Sequence, residues 1–349
     1  MAKFCIFCGN TPDKKNKEHV IPQWLSKYTG KFHSVCELGN VTDRNITFSA
    51  LTFPACTACN EKFASLEAQA KDILFKIRDN KGLTAMEINV FLDWMDKIRV
   101  GLWLGQLTLA NEVDEIDPKF HIADRVGRKD RFLMVERINT TGRGIGLAGI
   151  SSKLFSEAPS VFQIAIDDLL FTNASEYGLV SNRLGFPQFQ KMEYVDRDHH
   201  LLTITKGREK TTHPVVWNYQ ASPQRTLIYQ PMYKDIDKVD DQNLFKTKYV
   251  MEHSIDTENG IGGIFYQRKD NTVRYLGPDE KINIAPKELI DADLIAAALP
   301  VYELQNYVIR SAYKLDTMEK KQREYIEYMM MANELSVART AIAYGIKRR

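Results

Sequence analysis

Two kinds of chemistry stand close together near the start of the sequence. Four of the five cysteines form two CxxC pairs: Cys5 with Cys8, and Cys56 with Cys59. The dipeptide Glu18-His19 lies between the pairs. Four thiolates from two turns are a ligand set for tetrahedral zinc, whereas a histidine beside a carboxylate suits acid–base chemistry. The sequence therefore predicts a structural zinc ion next to a separate reactive dipeptide.

The composition is that of an ordinary globular protein. The chain has 349 residues, of which 44% are hydrophobic and 26% charged, so two or three domains with a buried core are expected. The formal net charge is +2, and any surface for nucleic acid must therefore be a local basic patch. No apolar signal segment opens the sequence, and its most apolar stretch, residues 100–109, is too short to span a bilayer. We expect a cytoplasmic protein without a membrane partner.

Reduced cytoplasmic thiols favour metal ligands or redox centres over disulfides. A thioredoxin-like redox role is disfavoured because neither CxxC opens a helix after a parallel strand. The two pairs are separated by 47 residues, far more than a simple zinc ribbon needs. The zinc is therefore expected to clamp the base of a β-hairpin to the start of a helix.

The pattern of apolar residues, and the prolines that end strands, predict the elements around the cysteines. A short strand at residues 18–21 is stopped by Pro22, a helical turn follows at 23–28, and a second strand is predicted at 45–53. A helix runs from Asn60 to about Arg78, with apolar residues recurring at helical spacing. The hairpin and this helix would position the reactive dipeptide.

The predicted secondary structure of the rest of the chain changes from helix to strands and back to helix. Thr84 and Glu87 form a predicted capping box for an amphipathic packing helix that reaches about Ala110. Short strand-like runs separated by turn residues follow, and the chain reads as helix again from Pro286 onward. The predicted organisation is an N-terminal domain at residues 1–80, a packing helix or linker at 81–110, and a larger α+β domain at 111–349 with a strand-rich middle and a helical C-terminus.

The pattern CxxC, then Glu-His-hydrophobic-hydrophobic-Pro, then CxxCN resembles the HNH endonuclease family in a zinc-stapled form. The resemblance covers roughly the first 70 of the 349 residues. It implies a ββα-metal fold in which a neutral histidine on the first strand activates water. It also implies one divalent metal, Mg²⁺ or Mn²⁺, that stabilises the phosphate and the leaving oxygen and prefers hard oxygen ligands.

The resemblance assigns roles to individual residues. His19 would be the general base and Glu18 the acidic metal ligand beside it. Asn60 matches the family's middle asparagine, which in some members orients the hairpin loop and in others binds the metal. Lys62 matches a frequent basic position, and with Lys17 it is a candidate phosphate contact.

The third family position departs from the pattern. A histidine often stands eight or nine residues after the asparagine, but here those positions are Ala68 and Gln69. Glu67 lies seven residues after Asn60, two helical turns on and on the same face, and we predict that it is a ligand of the catalytic metal. A solvated surface glutamate at position 67, and Glu61 as a competing ligand, remain open.

Other candidates carry weaker signals. His33 is predicted to be an exposed loop residue, and Cys36 a buried small side chain. His199-His200 is disfavoured as a metal site because adjacent strand residues point to opposite faces. A local positive excess around the dipeptide suits a phosphate backbone as well as an ordinary solvated face, and its members are Lys14, Lys15, Lys17, Lys27, Lys31 and Arg44.

Together these observations predict a metal-dependent DNA endonuclease, with bacterial restriction or anti-phage defence as the context that the resemblance suggests. The alternatives are a zinc-stabilised nucleic-acid-binding module with an inactive centre, or a ribonuclease, although no RNA-recognition signature is found. Residues 111–349 are expected to supply targeting, regulation or oligomerisation. A homodimer and a regulatory partner protein both remain open.

Overall fold

The fold is described by a computed structural model. It describes residues 4–36, 46–109, 118–140, 143–196, 201–208, 221–234, 247–267, 272–312, 315 and 318–346. The N-terminal elements, in chain order, are β1 (Lys17–His19), α1 (Gln23–Tyr28), β2 (Val35–Cys36), β3 (Ile46–Thr47), β4 (Thr52–Pro54) and α2 (Thr57–Arg78). Strand β1 pairs antiparallel with β4, and β2 pairs antiparallel with β3.

The later elements form a sheet flanked by helices. The first of them are α3 (Ala85–Leu109), α4 (Ile122–Arg125), β5 (Asp130–Arg137), β6 (Ile145–Ala148), α5 (Lys153–Glu157), β7 (Val161–Ile166), β8 (Leu169–Glu176), β9 (Gln188–Asp196) and β10 (Leu201–Arg208). The remainder are β11 (Arg225–Gln230), α6 (Lys248–Glu252), β12 (Ser254–Asp256), β13 (Ile261–Gly262), β14 (Phe265–Gln267), β15 (Val273–Tyr275), α7 (Leu294–Ala312) and α8 (Lys320–Ala343).

In the described part of the chain, seven antiparallel strands make the central sheet, in the order β15-β14-β11-β5-β8-β7-β6. Side chains of β5 alternate between its two faces. Leu133 and Val135 belong to the core that contains α3, whereas Phe132 and Met134 belong to the core that contains α7. Helices thus cover both faces of the sheet, which explains why its strands read as continuous apolar runs.

Helix α3 is buried on all sides, which corrects the expectation of an amphipathic helix. It packs against α2 on one side, and Phe91 contacts Phe171 of the sheet, with ring centroids 5.2 Å apart. One continuous core extends from the cysteine pairs through α3 to the sheet. Because no face of α3 meets solvent over most of its length, its charged residues must find partners inside the protein.

Several local predictions are confirmed. Helix α1 has the predicted bounds, Gln23–Tyr28. The backbone N–H of Thr84 donates to the Glu87 carboxylate at 2.8 Å, and the N–H of Glu87 donates to the Thr84 hydroxyl at 3.3 Å, so the capping box is present. Helix α2 begins at Thr57, three residues before the predicted start, because Cys56 already occupies its N-cap position.

The hairpin strands are shorter than predicted. Strand β1 covers Lys17–His19 rather than residues 18–21, and the predicted single strand at 45–53 is wrong. The chain turns between β3 and β4, where the N–H of Ala50 donates to the Thr47 carbonyl at 2.9 Å. Phe48 and Leu51 are both buried. Residues three apart on one strand face opposite sides, so a turn is needed to bury both.

Candidate functional site

The four paired cysteines come together in space. The Sγ atoms of Cys5, Cys8, Cys56 and Cys59 all lie within 4.8 Å of one another, and those of Cys8 and Cys56 are 3.8 Å apart. Tetrahedral zinc with Zn–S bonds of about 2.3 Å places its sulfur ligands about 3.8 Å apart. The cluster therefore fits a zinc ion, as the spacing predicted.

The first CxxC forms a tight turn that aims its sulfurs inward. Gly9 adopts a left-handed φ of 76°, and its N–H donates to the Cys5 carbonyl at 2.9 Å. The N–H of Cys56 donates to Cys5 Sγ at 3.2 Å, which links the turn to the N-terminus of α2. Glycine is needed at position 9 because other residues adopt this φ at a cost.

Packing joins this turn to the hairpin and the helix. The N–H of Ile6 donates to the Pro54 carbonyl at 2.9 Å, so the turn extends from the end of β4. Phe7 stacks on Phe63 of α2, with ring centroids 4.2 Å apart. The cysteine cluster is thus placed to hold β4 and α2 at a fixed angle.

Repulsion among the four neighbouring sulfurs favours a bound cation. Burial, together with the neighbouring sulfurs, raises the pKa of Cys56 to about 11 and that of Cys59 to about 12. Four thiolates this close would repel one another strongly. A bound divalent metal removes that repulsion and leaves the thiols deprotonated.

Strand β1 sends its three side chains to alternate faces. Lys17 is exposed, Glu18 is buried and His19 is half-buried. Lys17 and His19 therefore share the outer face, while Glu18 points inward. The dipeptide that looked like one reactive unit in the sequence is divided between two faces.

Several neighbouring groups act on the imidazole of His19. The backbone of Ser49, in the turn before β4, is close enough to favour its protonated form, but this effect is smaller than those that oppose it. Burial first, and the positive charge of Lys97 second, lower the pKa of His19 below its usual value. A neutral imidazole that donates from one nitrogen has an acceptor at the other, which is the state a general base requires.

The inner face of the site centres on Lys97 of α3, which has no exposed surface. Its Nζ donates to Glu18 Oε1 at 2.6 Å and to Glu67 Oε1 at 2.5 Å. It also lies 3.1 Å from the carbonyl oxygen of His19 and 3.4 Å from that of Val20. One ammonium group therefore joins β1, α2 and α3.

Charge balance keeps Lys97 protonated. Burial alone lowers the pKa of a lysine, but the carboxylates of Glu67 and Glu18 outweigh it and raise the pKa of Lys97 above its usual value. Burial and the nearby Glu18 raise the pKa of Glu67, against the opposing effect of Lys97. The buried group is a cation shared by two acids.

The other predicted residues lie apart from this cluster. Asn60 is in the first turn of α2, where its N–H donates to the Cys56 carbonyl at 2.9 Å. Its side-chain amide forms no hydrogen bond to another residue in the described parts of the chain. Lys62 and Glu61 are exposed on the same helix. The structure thus brings Glu67 to Glu18 but does not link Asn60 to either.

The residues predicted to bind the catalytic metal have suitable donor atoms, but their arrangement does not leave those atoms free for a metal. Carboxylate and amide oxygens suit Mg²⁺ or Mn²⁺. The facing oxygens of Glu18 and Glu67, however, are already bridged by the Lys97 ammonium. Within the described ranges, the cysteine cluster is the one group of three or more His, Cys, Asp or Glu residues close enough to share an ion. The catalytic metal stays a prediction from the resemblance.

Sequence reasoning missed Lys97. It lies in a strongly apolar helix. A lysine in such a helix is rarely buried without an acidic partner, and this was the signal in the sequence that could have identified it. Of the weaker candidates, His33 is exposed, as expected. Arg44, His199 and His200 lie outside the described residues, as does the side chain of Cys36.

Comparisons with known proteins add no assignment. No protein-family model, curated protein or solved structure matches this chain. No helix in the part of the chain that the structure describes is long and apolar enough to cross a membrane.

Proposed function

We propose that the chain is an endonuclease of the HNH type that hydrolyses DNA phosphodiester bonds, with His19 as general base and a zinc ion on the four cysteines as a structural staple. The observation that carries the proposal is the placement of His19. Its ring is half-buried on the outer face of β1, and burial together with the charge of Lys97 lowers its pKa. A neutral imidazole has one unprotonated nitrogen, which can take a proton from water.

The surroundings of His19 suit a phosphodiester substrate. Lys17 shares its face of β1, and Lys27 is close enough to contribute to the lowered pKa of His19. Both lysines and Lys62 are exposed. Exposed ammonium groups beside a neutral base attract the phosphate backbone without protonating the base. By resemblance, a divalent metal would add Lewis-acid chemistry at the leaving oxygen.

A second candidate is a zinc-stapled nucleic-acid-binding module without catalysis. The observation that favours it is the Lys97 ammonium between Glu18 and Glu67, where the resemblance places a metal. The shared ion pair with Lys97 accounts by itself for the inward position of Glu67, so the nuclease proposal depends on His19 and not on these two acids. Defence or restriction as the biological context remains an expectation from the resemblance.

A nicking assay separates these candidates. The zinc-loaded full chain, dialysed free of other metals, is incubated with supercoiled plasmid or with structured RNA, with and without Mg²⁺ or Mn²⁺. We expect conversion of supercoiled plasmid to nicked or linear DNA and no degradation of the RNA. RNA cleavage alone would identify a ribonuclease. Plasmid retardation in a gel without any cleavage would favour the binding module.

A further inference from the structure

The two carboxylates predicted to hold a divalent metal already share a cation from the chain itself. Lys97 Nζ lies 2.6 Å from Glu18 Oε1 and 2.5 Å from Glu67 Oε1. Two backbone carbonyl oxygens, of His19 and Val20, complete its surroundings. Two acids and two carbonyls are the kind of oxygen set that a hard cation binds, but here the bound cation is an ammonium.

The position of Lys97 excludes two simpler roles. It has no exposed surface, so its ammonium cannot reach a phosphate of bound DNA. A surface ion pair would contribute little, but this cation is enclosed and paired with two acids whose side chains are 11% and 17% exposed. Enclosed charges of this kind depend on one another, because removal of either sign leaves the other unpaired.

Strand geometry supports the same conclusion. Glu18 points inward from β1, on the face opposite to Lys17 and His19. The inward carboxylate finds Lys97 on α3, a helix that the HNH-like segment does not include.

We propose that the ammonium of Lys97 is the resident cation of the Glu18–Glu67 pair, so that these two carboxylates hold β1, α2 and α3 together and do not jointly bind a divalent metal. Any metal used in catalysis is then held by other groups. The inference rests on the proposed function only in taking this cluster to be the catalytic region. Its test measures ion binding, so a failure to cleave DNA does not affect the outcome.

Manganese binding to the zinc-loaded full chain tests the proposal, by calorimetric titration or by the electron paramagnetic resonance signal of free Mn²⁺. Wild type and Glu67→Gln are expected to bind Mn²⁺ with affinities that agree within about twofold. Lys97→Met is expected to gain Mn²⁺ affinity of at least about tenfold, since the competing cation is gone and two carboxylates face each other. The double variant Lys97→Met/Glu67→Gln should lose that gain.

Two results would overturn the proposal. One is a loss of about tenfold or more in Mn²⁺ affinity on Glu67→Gln in the otherwise wild-type chain, which would place the metal on these carboxylates. The other is a folded Lys97→Met variant that gains no Mn²⁺ affinity. If Lys97→Met does not fold, the comparison of wild type with Glu67→Gln still decides, because that substitution keeps the shape of the side chain and the Lys97 ammonium.

Discussion

Cys56→Ser is expected to abolish zinc binding and unfold the N-terminal unit. Cys56 is both a member of the sulfur cluster and the N-cap of α2, so its loss removes a metal ligand at the joint between hairpin and helix. Zinc binding to four thiolates contributes about 10 to 16 kcal/mol of apparent free energy in small zinc domains, and this free energy is coupled to folding. β1 and β4 are each three residues long, so their pairing with each other contributes little stability of its own.

Zinc content and thermal unfolding check this prediction. Wild type should contain one zinc per chain, and Cys56→Ser should contain none and melt at a lower temperature. Cys36→Ser is the matched control, because it removes a thiol that a four-ligand site does not need. A Cys56→Ser protein with full zinc content and an unchanged melting temperature would show that the four-cysteine site is wrong.

Lys97→Met is expected to lower the free energy of unfolding by about 3 to 5 kcal/mol, the usual cost of removing one partner from a buried ion pair. The substitution preserves the length of the side chain but leaves the buried Glu18 and the largely buried Glu67 facing each other without a cation. The carbonyl of His19 also loses its donor. The end of β1 should therefore loosen along with the core.

Denaturant unfolding followed by tryptophan fluorescence measures this effect. Trp24 and Trp94 lie in the same core, with ring centroids 6.2 Å apart, and report on the contact between α1 and α3. Lys248→Met is the matched control, since Lys248 is 87% exposed and pairs with Glu252 on the surface. We expect that control to change stability by less than about 1 kcal/mol. Equal effects from both substitutions would contradict a buried resident cation.

Local features were the most predictable part of the fold. Helix α1 was predicted because Pro22 restricts the chain before it, and the capping box because Thr84 and Glu87 bond within one turn. The cysteine cluster followed from the chemistry of two CxxC pairs. The helix and the capping box depend on residues that are neighbours in sequence. The cysteine cluster depends on paired CxxC motifs, which in a reduced protein have few roles other than metal binding.

Features that depend on distant partners could not be predicted. Lys97 is 79 positions from Glu18 and 30 from Glu67, so nothing local identifies the three as one cluster. The order of the seven strands has the same origin, because β5 pairs with β11 and β8 rather than with β6, the next strand. The turn between β3 and β4 is set by the burial of Phe48 and Leu51 in a core to which many elements contribute.

The division of Glu18 and His19 between two faces has a functional consequence. The resemblance treats the dipeptide as a base and a metal ligand acting side by side. The structure leaves His19 partly exposed to solvent and pairs the buried Glu18 with Lys97. The chemistry we propose therefore depends chiefly on His19, and the acids chiefly hold the scaffold.

The most direct test is the initial rate of plasmid nicking by wild type, His19→Ala and His33→Ala, each zinc-loaded and assayed with Mg²⁺. His33 is the control because it is an exposed histidine of the same insert. Loss of a general base typically costs about 10² to 10⁴ in rate, and we predict a decrease in that range for His19→Ala and little change for His33→Ala. Unchanged zinc content will show that the fold survives. Nicking by His19→Ala at the wild-type rate would contradict the central claim.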